Sequence, residues 1–227
     1  MSSDPTLTYF EYNAINILPK DWDVEIEKVI EKYKRLNSAG EGSSVSRETE
    51  LTDKQGIYMV TGDVILTELP WLYELYRSTF RDLAQKKFSE EVLIATDPAS
   101  SMVIFEQEGQ DMRLAAHVDP NPITGLLYVT THTEGSGGEL IISNKRETKD
   151  LRIVGTKEIE KDSTKILPVK GKLIFFDVRD RPHFTKPLTN KNDNRIVIGM
   201  NYYTPSLTEK QIPDDAAGHY IKLSLER

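Results

Sequence analysis

From about residue 100 onward the chain is a succession of short runs rich in Val, Ile, Leu, Tyr and Phe, separated by turn residues, with no helix-length apolar pattern between them. A doubly wound parallel sheet needs a helical crossover between its strands, so this pattern disfavours one and points to a sandwich or barrel. Strands are expected near residues 57–61, 92–96, 102–106, 112–118, 124–131, 139–143, 151–154, 172–177 and 195–203.

The first hundred residues supply material to pack on such a sheet. Trp22, Ile26, Val29, Ile30, Tyr33 and Leu36 recur at three- and four-residue steps, which predicts an amphipathic helix over about 21–36 with its stripe on a core. A second helix is expected from Pro70 to about Phe88, with Leu72, Leu75, Tyr76, Phe80 and Leu83 on one face and Trp71 and Tyr76 in the core. Residues 37–54 are rich in Ser, Gly, Glu and Thr and read as an exposed loop, either a connector or a lid.

Composition narrows the function. The 227 residues form one domain by length, and 29 Lys+Arg against 36 Asp+Glu give a formal net charge of -7 with the two signs interspersed. Clustered basic residues are what phosphate binding requires, so nucleic acid is not an expected partner. No stretch approaches the roughly 20 apolar residues that span a bilayer, and no Asn-x-Ser/Thr acceptor is present, so a cytoplasmic location is the default expectation. Cysteine is absent, which removes disulfides, thiolate metal sites and thiol nucleophiles; any metal must sit on His, Asp or Glu.

The chain has no phosphate loop, no nucleophile elbow and no His-Glu-x-x-His pair, and Gly135-Ser136-Gly137-Gly138 leads straight into a strand, so it reads as a turn and not a dinucleotide cradle. Of four histidines, His117 lies two residues before Asp119. On an extended strand these side chains share a face and can grip one cation, although alone the pair also reads as a surface ion pair at a strand end. Gly171 to Asp177 forms a strand, followed by a polar turn and Pro182-His183-Phe184-Thr185. Arg195 comes twelve residues after His183 and opens the apolar strand to Tyr203, whose inward face would show Val197, Gly199 and Asn201. An arginine there is either an exposed strand-end charge or a bidentate clamp for a carboxylate. His132 and His219 read as surface histidines. Arg113, four residues before His117, reads either as a rim charge or as an anchor for a substrate carboxylate.

The order His117-x-Asp119, Gly137-Gly138-Glu139-Leu140, Gly171 to Phe176 leading to His183, then Arg195, resembles the 2-oxoglutarate/Fe(II)-dependent dioxygenases, their prolyl-hydroxylase-like branch most closely. The match covers about residues 102–204. The resemblance implies a mainly β fold with supporting α-helices, a double-stranded β-helix or jelly-roll barrel, with 1–100 as a support region and 102–204 as the catalytic core of a single domain over 1–227. It implies that His117, Asp119 and His183 ligate Fe(II) as a facial triad, that Arg195 pairs with the distal carboxylate of 2-oxoglutarate, and that Tyr128 stands near that tail. Many relatives carry Ser two residues after the arginine; Val197 departs from this. Related halogenases replace the carboxylate with Gly or Ala, so Asp119 favours hydroxylation or desaturation over halogenation. The implied activity is oxidation of an unactivated C–H bond with Fe(II), 2-oxoglutarate and O2, stimulated by ascorbate and releasing succinate and CO2. The expected substrate is a small molecule, such as a free amino acid or a biosynthetic intermediate. The alternatives are hydroxylation of a protein side chain, a non-redox jelly-roll ligand-binding module, and a metal-dependent isomerase or hydrolase on a cupin-like barrel.

Overall fold

The computed structural model describes residues 7, 9–37, 56–147 and 151–212. The stretch 37–54, apart from Asn37, lies outside these residues, as does His219. In chain order the strands are β1 (Tyr9–Asn13), β2 (Arg35–Asn37), β3 (Ile57–Thr61), β4 (Leu93–Ile94), β5 (Met102–Glu108), β6 (Ile123–Tyr128), β7 (Leu140–Ser143), β8 (Ser163–Ile166), β9 (Lys172–Asp177), β10 (His183–Thr185) and β11 (Asn194–Tyr203). The helices are α1 (Trp22–Tyr33), α2 (Gly62–Glu68), α3 (Pro70–Leu75), α4 (Arg81–Gln85), α5 (Pro98–Ser101) and α6 (Leu151–Lys161), with a π turn over Tyr76–Phe80 joining α3 to α4.

One large sheet runs in the order β1-β9-β6-β11-β5-β3-β2, with β4 also pairing β11, and a small sheet runs β10-β7-β8; every pairing is antiparallel. This is the double-stranded β-helix. Period-2 alternation divides the large sheet between two cores. Ile196, Ile198, Met200 and Tyr202 of β11 join Ile26, Ile30, Leu72, Tyr76 and Phe80 under the helices. On the opposite face, Val197 of β11, Leu126 and Tyr128 of β6 and Ile174 and Phe176 of β9 meet Leu140, Ile142 and Ile166 of the small sheet.

The second helical stretch is not one straight helix. Leu72, Tyr76, Phe80 and Ala84 are its buried residues, spaced by four. Four-residue steps drift around a helix with 3.6 residues per turn, and the wider π turn at Tyr76–Phe80 keeps the stripe on the sheet. Tyr76 accepts the Ala95 N–H at 2.9 Å and donates to Asn201 O at 2.8 Å, fastening this stretch to β11. Trp71, expected in the core, is half-buried and donates its indole N–H to Glu25 Oε2 at 2.8 Å.

Two expected strands are corrected. Residues 112–118 form no ladder; only His117 makes a single bridge, to His183. Residues 151–154 open helix α6, in which Gly155 breaks the helical path at φ 69°, ψ 156°. Periodicity does not separate a buried strand from a helical turn over so few apolar residues.

Candidate active site

His117 and Asp119 come from the unladdered segment that leads into β6, and His183 from β10. Their backbones are stitched together: the His117 N–H donates to His183 O at 3.0 Å and the His183 N–H to His117 O at 2.9 Å. The imidazole centroids are 4.3 Å apart, with Phe176 edge-on to His183 at 5.7 Å. His117 Nδ1 lies 2.7 Å from Ala115 O and His183 Nδ1 3.1 Å from Arg181 O. A carbonyl only accepts, so both rings carry a proton on Nδ1 and turn Nε2 towards Asp119.

His117 Nε2 stands 3.1 Å from Asp119 Oδ1 and His183 Nε2 3.5 Å from Asp119 Oδ2. Burial opposes ionisation of Asp119, but the neighbouring imidazoles more than offset it and hold the carboxyl well below the usual carboxylate range. Burial pulls His183 down and Asp119 pulls it up, with a net rise. Two nitrogens facing a carboxylate across these distances can share a proton or a cation with it. One ligand atom from each of the three side chains lies within 4.8 Å of the others, a donor set for one divalent cation.

Arg195, the second residue of β11, is 1% exposed and lines the same cavity as the triad, together with Val197, Gly199 and Asn201 of its strand. Its guanidinium lies 5.5 Å from the Tyr128 ring, Tyr128 being directly opposite Val197 in the β6–β11 register. Among the described residues it has no carboxylate partner, and Arg195 Nε and the Tyr128 hydroxyl both lack hydrogen-bond partners. Burial pushes the Tyr128 phenol up to about 12, against the pull of Arg195. The glycine turn packs behind this arginine. Gly138 has φ +77°, and a Cβ there would stand 3.1 Å from both Arg195 Cδ and Leu188 Cδ2.

A family model described as the 2OG-Fe(II) oxygenase superfamily matches residues 100–203. The matched stretch, just under half of the chain, resembles this superfamily. Its sheets resemble those of the non-heme alpha ketoglutarate dependent carbocyclase SnoK from nogalamycin biosynthesis, at TM-score 0.61 and 16% identity over 87% of this chain and 79% of that one. AviO1 from Streptomyces viridochromogenes Tue57 aligns at TM-score 0.60 and 13% identity, over 92% and 94% of the two chains. A prolyl hydroxylase from Trichoplax adhaerens, solved with a hypoxia inducible factor peptide fragment, aligns at TM-score 0.56 and 16% identity, over 87% and 84%. Identities this low establish a shared fold. A search of curated proteins finds no match.

This chain carries the match to the 2OG-Fe(II) oxygenases, which use Fe(II), 2-oxoglutarate and O2. Its residues suit both the metal and the cosubstrate: the His-Asp-His donor set for the iron, and for the dicarboxylate a buried cation without an anion, beside an unpaired phenol. An isolated buried charge is costly, so Arg195 calls for a negative partner. Arg113, half-buried, is not among the residues lining the cavity. His132, expected at the surface, is buried, its N–H donating to Pro168 O at 3.0 Å and its Nε2 to Asn194 O at 3.0 Å.

Two residues at the site were not expected from sequence. Thr124 donates its hydroxyl to Asp119 Oδ2 at 2.7 Å, and Asn121 donates its amide to Thr124 Oγ1 at 3.0 Å and to Ile123 O at 2.7 Å. The available signal was two polar residues at the entry of an otherwise apolar strand, within five residues of Asp119.

Proposed function

We propose that this oxygenase acts in the cytoplasm, as a single domain whose core spans 102–204, and hydroxylates an unactivated C–H bond of a small molecule while 2-oxoglutarate is converted to succinate and CO2. The carrying observation is that one cavity holds both the His117, Asp119, His183 cluster and the buried, anion-free Arg195.

In this reading His117 and His183 offer Nε2, and Asp119 an oxygen, to the iron. Bound there with 2-oxoglutarate and O2, the iron supplies the oxidising power that breaks the C–H bond. Arg195 receives the distal carboxylate of 2-oxoglutarate as a charge-assisted, bidentate pair, and the Tyr128 hydroxyl adds the donor that Val197 withholds. Leu126, Leu140, Phe176 and Val197 wall this part of the cavity and keep water from it.

The test is direct. Purified protein with Fe(II), 2-oxoglutarate and ascorbate consumes O2 and forms succinate, slowly even without substrate, and EDTA stops both. A ligand-binding module does neither, and a metal-dependent isomerase is indifferent to O2. Succinate release stimulated only by peptides or proteins would replace the small molecule with a protein side chain.

A further inference from the structure

The charged groups that line the cavity among the described residues are committed before any substrate enters. Among the described lining residues, Asp119 is the sole carboxylate and Arg195 the sole permanent cation, and the proposed chemistry assigns one to the metal and the other to 2-oxoglutarate. Thr124 gives its hydroxyl to Asp119. The Thr185 hydroxyl accepts the Leu114 N–H at 2.8 Å and donates to Gln107 Oε1 at 3.2 Å. Asn201 donates its amide to Ser100 O at 2.6 Å.

What remains is an apolar wall. Ile57 and Met59 of β3, Val103 and Phe105 of β5, and Leu114 form a hydrophobic cluster of their own, and all five line the cavity. Gly199 of β11 completes this wall. A Cβ there would stand 3.0 Å from the Phe105 ring and 3.2 Å from Val103 Cγ1, so the missing side chain lets the cluster lie against the central strand.

We infer that the substrate presents an uncharged, apolar portion, aliphatic or aromatic, to the wall of Ile57, Met59, Val103, Phe105 and Leu114, and that zwitterionic free amino acids are not the substrate class. An ammonium or carboxylate buried here would leave water for a surface on which, among the described residues, no charged partner is unassigned, whereas apolar surface is favoured. The inference rests on the iron and 2-oxoglutarate reading, which fixes the use of Asp119 and Arg195.

The experiment loads the full chain with Mn(II) and N-oxalylglycine, which block turnover, and follows the fluorescence of the uncharged dye N-phenyl-1-naphthylamine. Saturable uptake is expected, with 2-phenylethanol displacing the dye about tenfold better than L-phenylalanine, which carries a similar ring plus two charges. Leu114→Asp, at a half-buried position, weakens dye uptake about tenfold while N-oxalylglycine binding persists. Phe105→Ser gives the same direction without adding charge. Displacement by L-phenylalanine equal to that by the alcohol, or uptake insensitive to both substitutions, overturns the inference. So does a protein that binds N-oxalylglycine but takes up no dye, and that result leaves the iron and cosubstrate reading standing. A protein that binds neither Mn(II) nor N-oxalylglycine overturns that reading, and the substrate inference falls with it.

Discussion

Thr124 gives the sharpest test of how the triad is held. Its hydroxyl donates to Asp119 Oδ2 at 2.7 Å, and because Asn121 Nδ2 donates to Thr124 Oγ1 from 3.0 Å, the hydroxyl proton is committed to the carboxylate. Thr124 and Asn121 are both buried, so water does not compete for these bonds. Thr124→Val keeps the branched shape and removes only the hydroxyl. A hydrogen bond to a charged group contributes about 1.5–3 kcal/mol, and loss of a comparable outer partner in metal sites weakens affinity by about 10–100-fold. The two scales agree, since 1.4 kcal/mol is about tenfold. Asn121 keeps its bond to Ile123 O in the variant, so no donor is stranded altogether.

The assay is anaerobic titration with Mn(II), read by the electron paramagnetic resonance of the free ion, with circular dichroism confirming the fold. Thr124→Val should raise the metal dissociation constant by about 10–100-fold, and Thr124→Ser should restore it to near the wild-type value. With metal saturating, affinity for 2-oxoglutarate should change little, because Arg195 is untouched. A Thr124→Val protein that binds Mn(II) as tightly as wild type would show that the carboxylate needs no such support, and the reasoning would fail.

The remaining predictions divide the site between metal and cosubstrate. Asp119→Ala removes a ligand and should abolish O2-dependent succinate formation; a variant with wild-type yield coupled to product would take Asp119 out of the triad. Arg195→Leu should raise the KM for 2-oxoglutarate by about 30-fold or more, the scale of about 2–5 kcal/mol for losing one partner of a buried charge pair, while Mn(II) affinity stays unchanged. Gly138→Ala forces a side chain into a left-handed backbone and against Arg195 Cδ and Leu188 Cδ2 at 3.1 Å. It should cost about 1–3 kcal/mol in denaturant unfolding and raise the same KM without touching the metal. Tyr128→Phe separates two roles: if the hydroxyl meets the cosubstrate, KM rises several-fold, while the apo protein becomes no less stable because an unpaired buried hydroxyl has gone.

Legibility from sequence followed the range of the interactions involved. The inward face of β11, with Arg195, Val197, Gly199 and Asn201, is readable because strand alternation is a purely local rule. His117 and Asp119 also stood out, but for a different geometric reason from the one that operates. They were expected to share the face of a strand over 112–118, whereas that segment has no ladder and the chain bends at Pro120, Asn121 and Pro122. Convergence there depends on the bridge from His117 to His183, a contact between residues 66 positions apart that no local pattern encodes. Strand β1 escaped notice because none of its residues is buried, and β10 because three residues carry too little periodicity to register. The support of Asp119 by Thr124 and Asn121 was equally hidden, since a threonine entering a strand has many possible partners and only the fold selects one.

The buried arginine shows how the two faces of one strand divide the work. Tyr202 of β11 points away from the cavity, stacks with Tyr76 at 5.0 Å between centroids and donates to Tyr76 O at 3.1 Å, while Tyr76 itself holds Asn201 O. The helices therefore clamp β11 from outside at its far end, and neighbouring β5 and β6 grip it from both edges. A guanidinium on so constrained a strand cannot swing to solvent for a counter-ion. With Gly138 against its stem and Tyr128 beside it, Arg195 stays where the cavity places it. Rigidity of this kind costs stability until an anion arrives, so 2-oxoglutarate or N-oxalylglycine should raise the melting temperature of the metal-loaded protein. Arg195→Leu should abolish that increment while leaving the melting temperature of the cosubstrate-free protein equal or higher. A variant that loses stability in the free form as well would mean that the charge is already balanced within the fold, and the argument for an anion at this position would not stand.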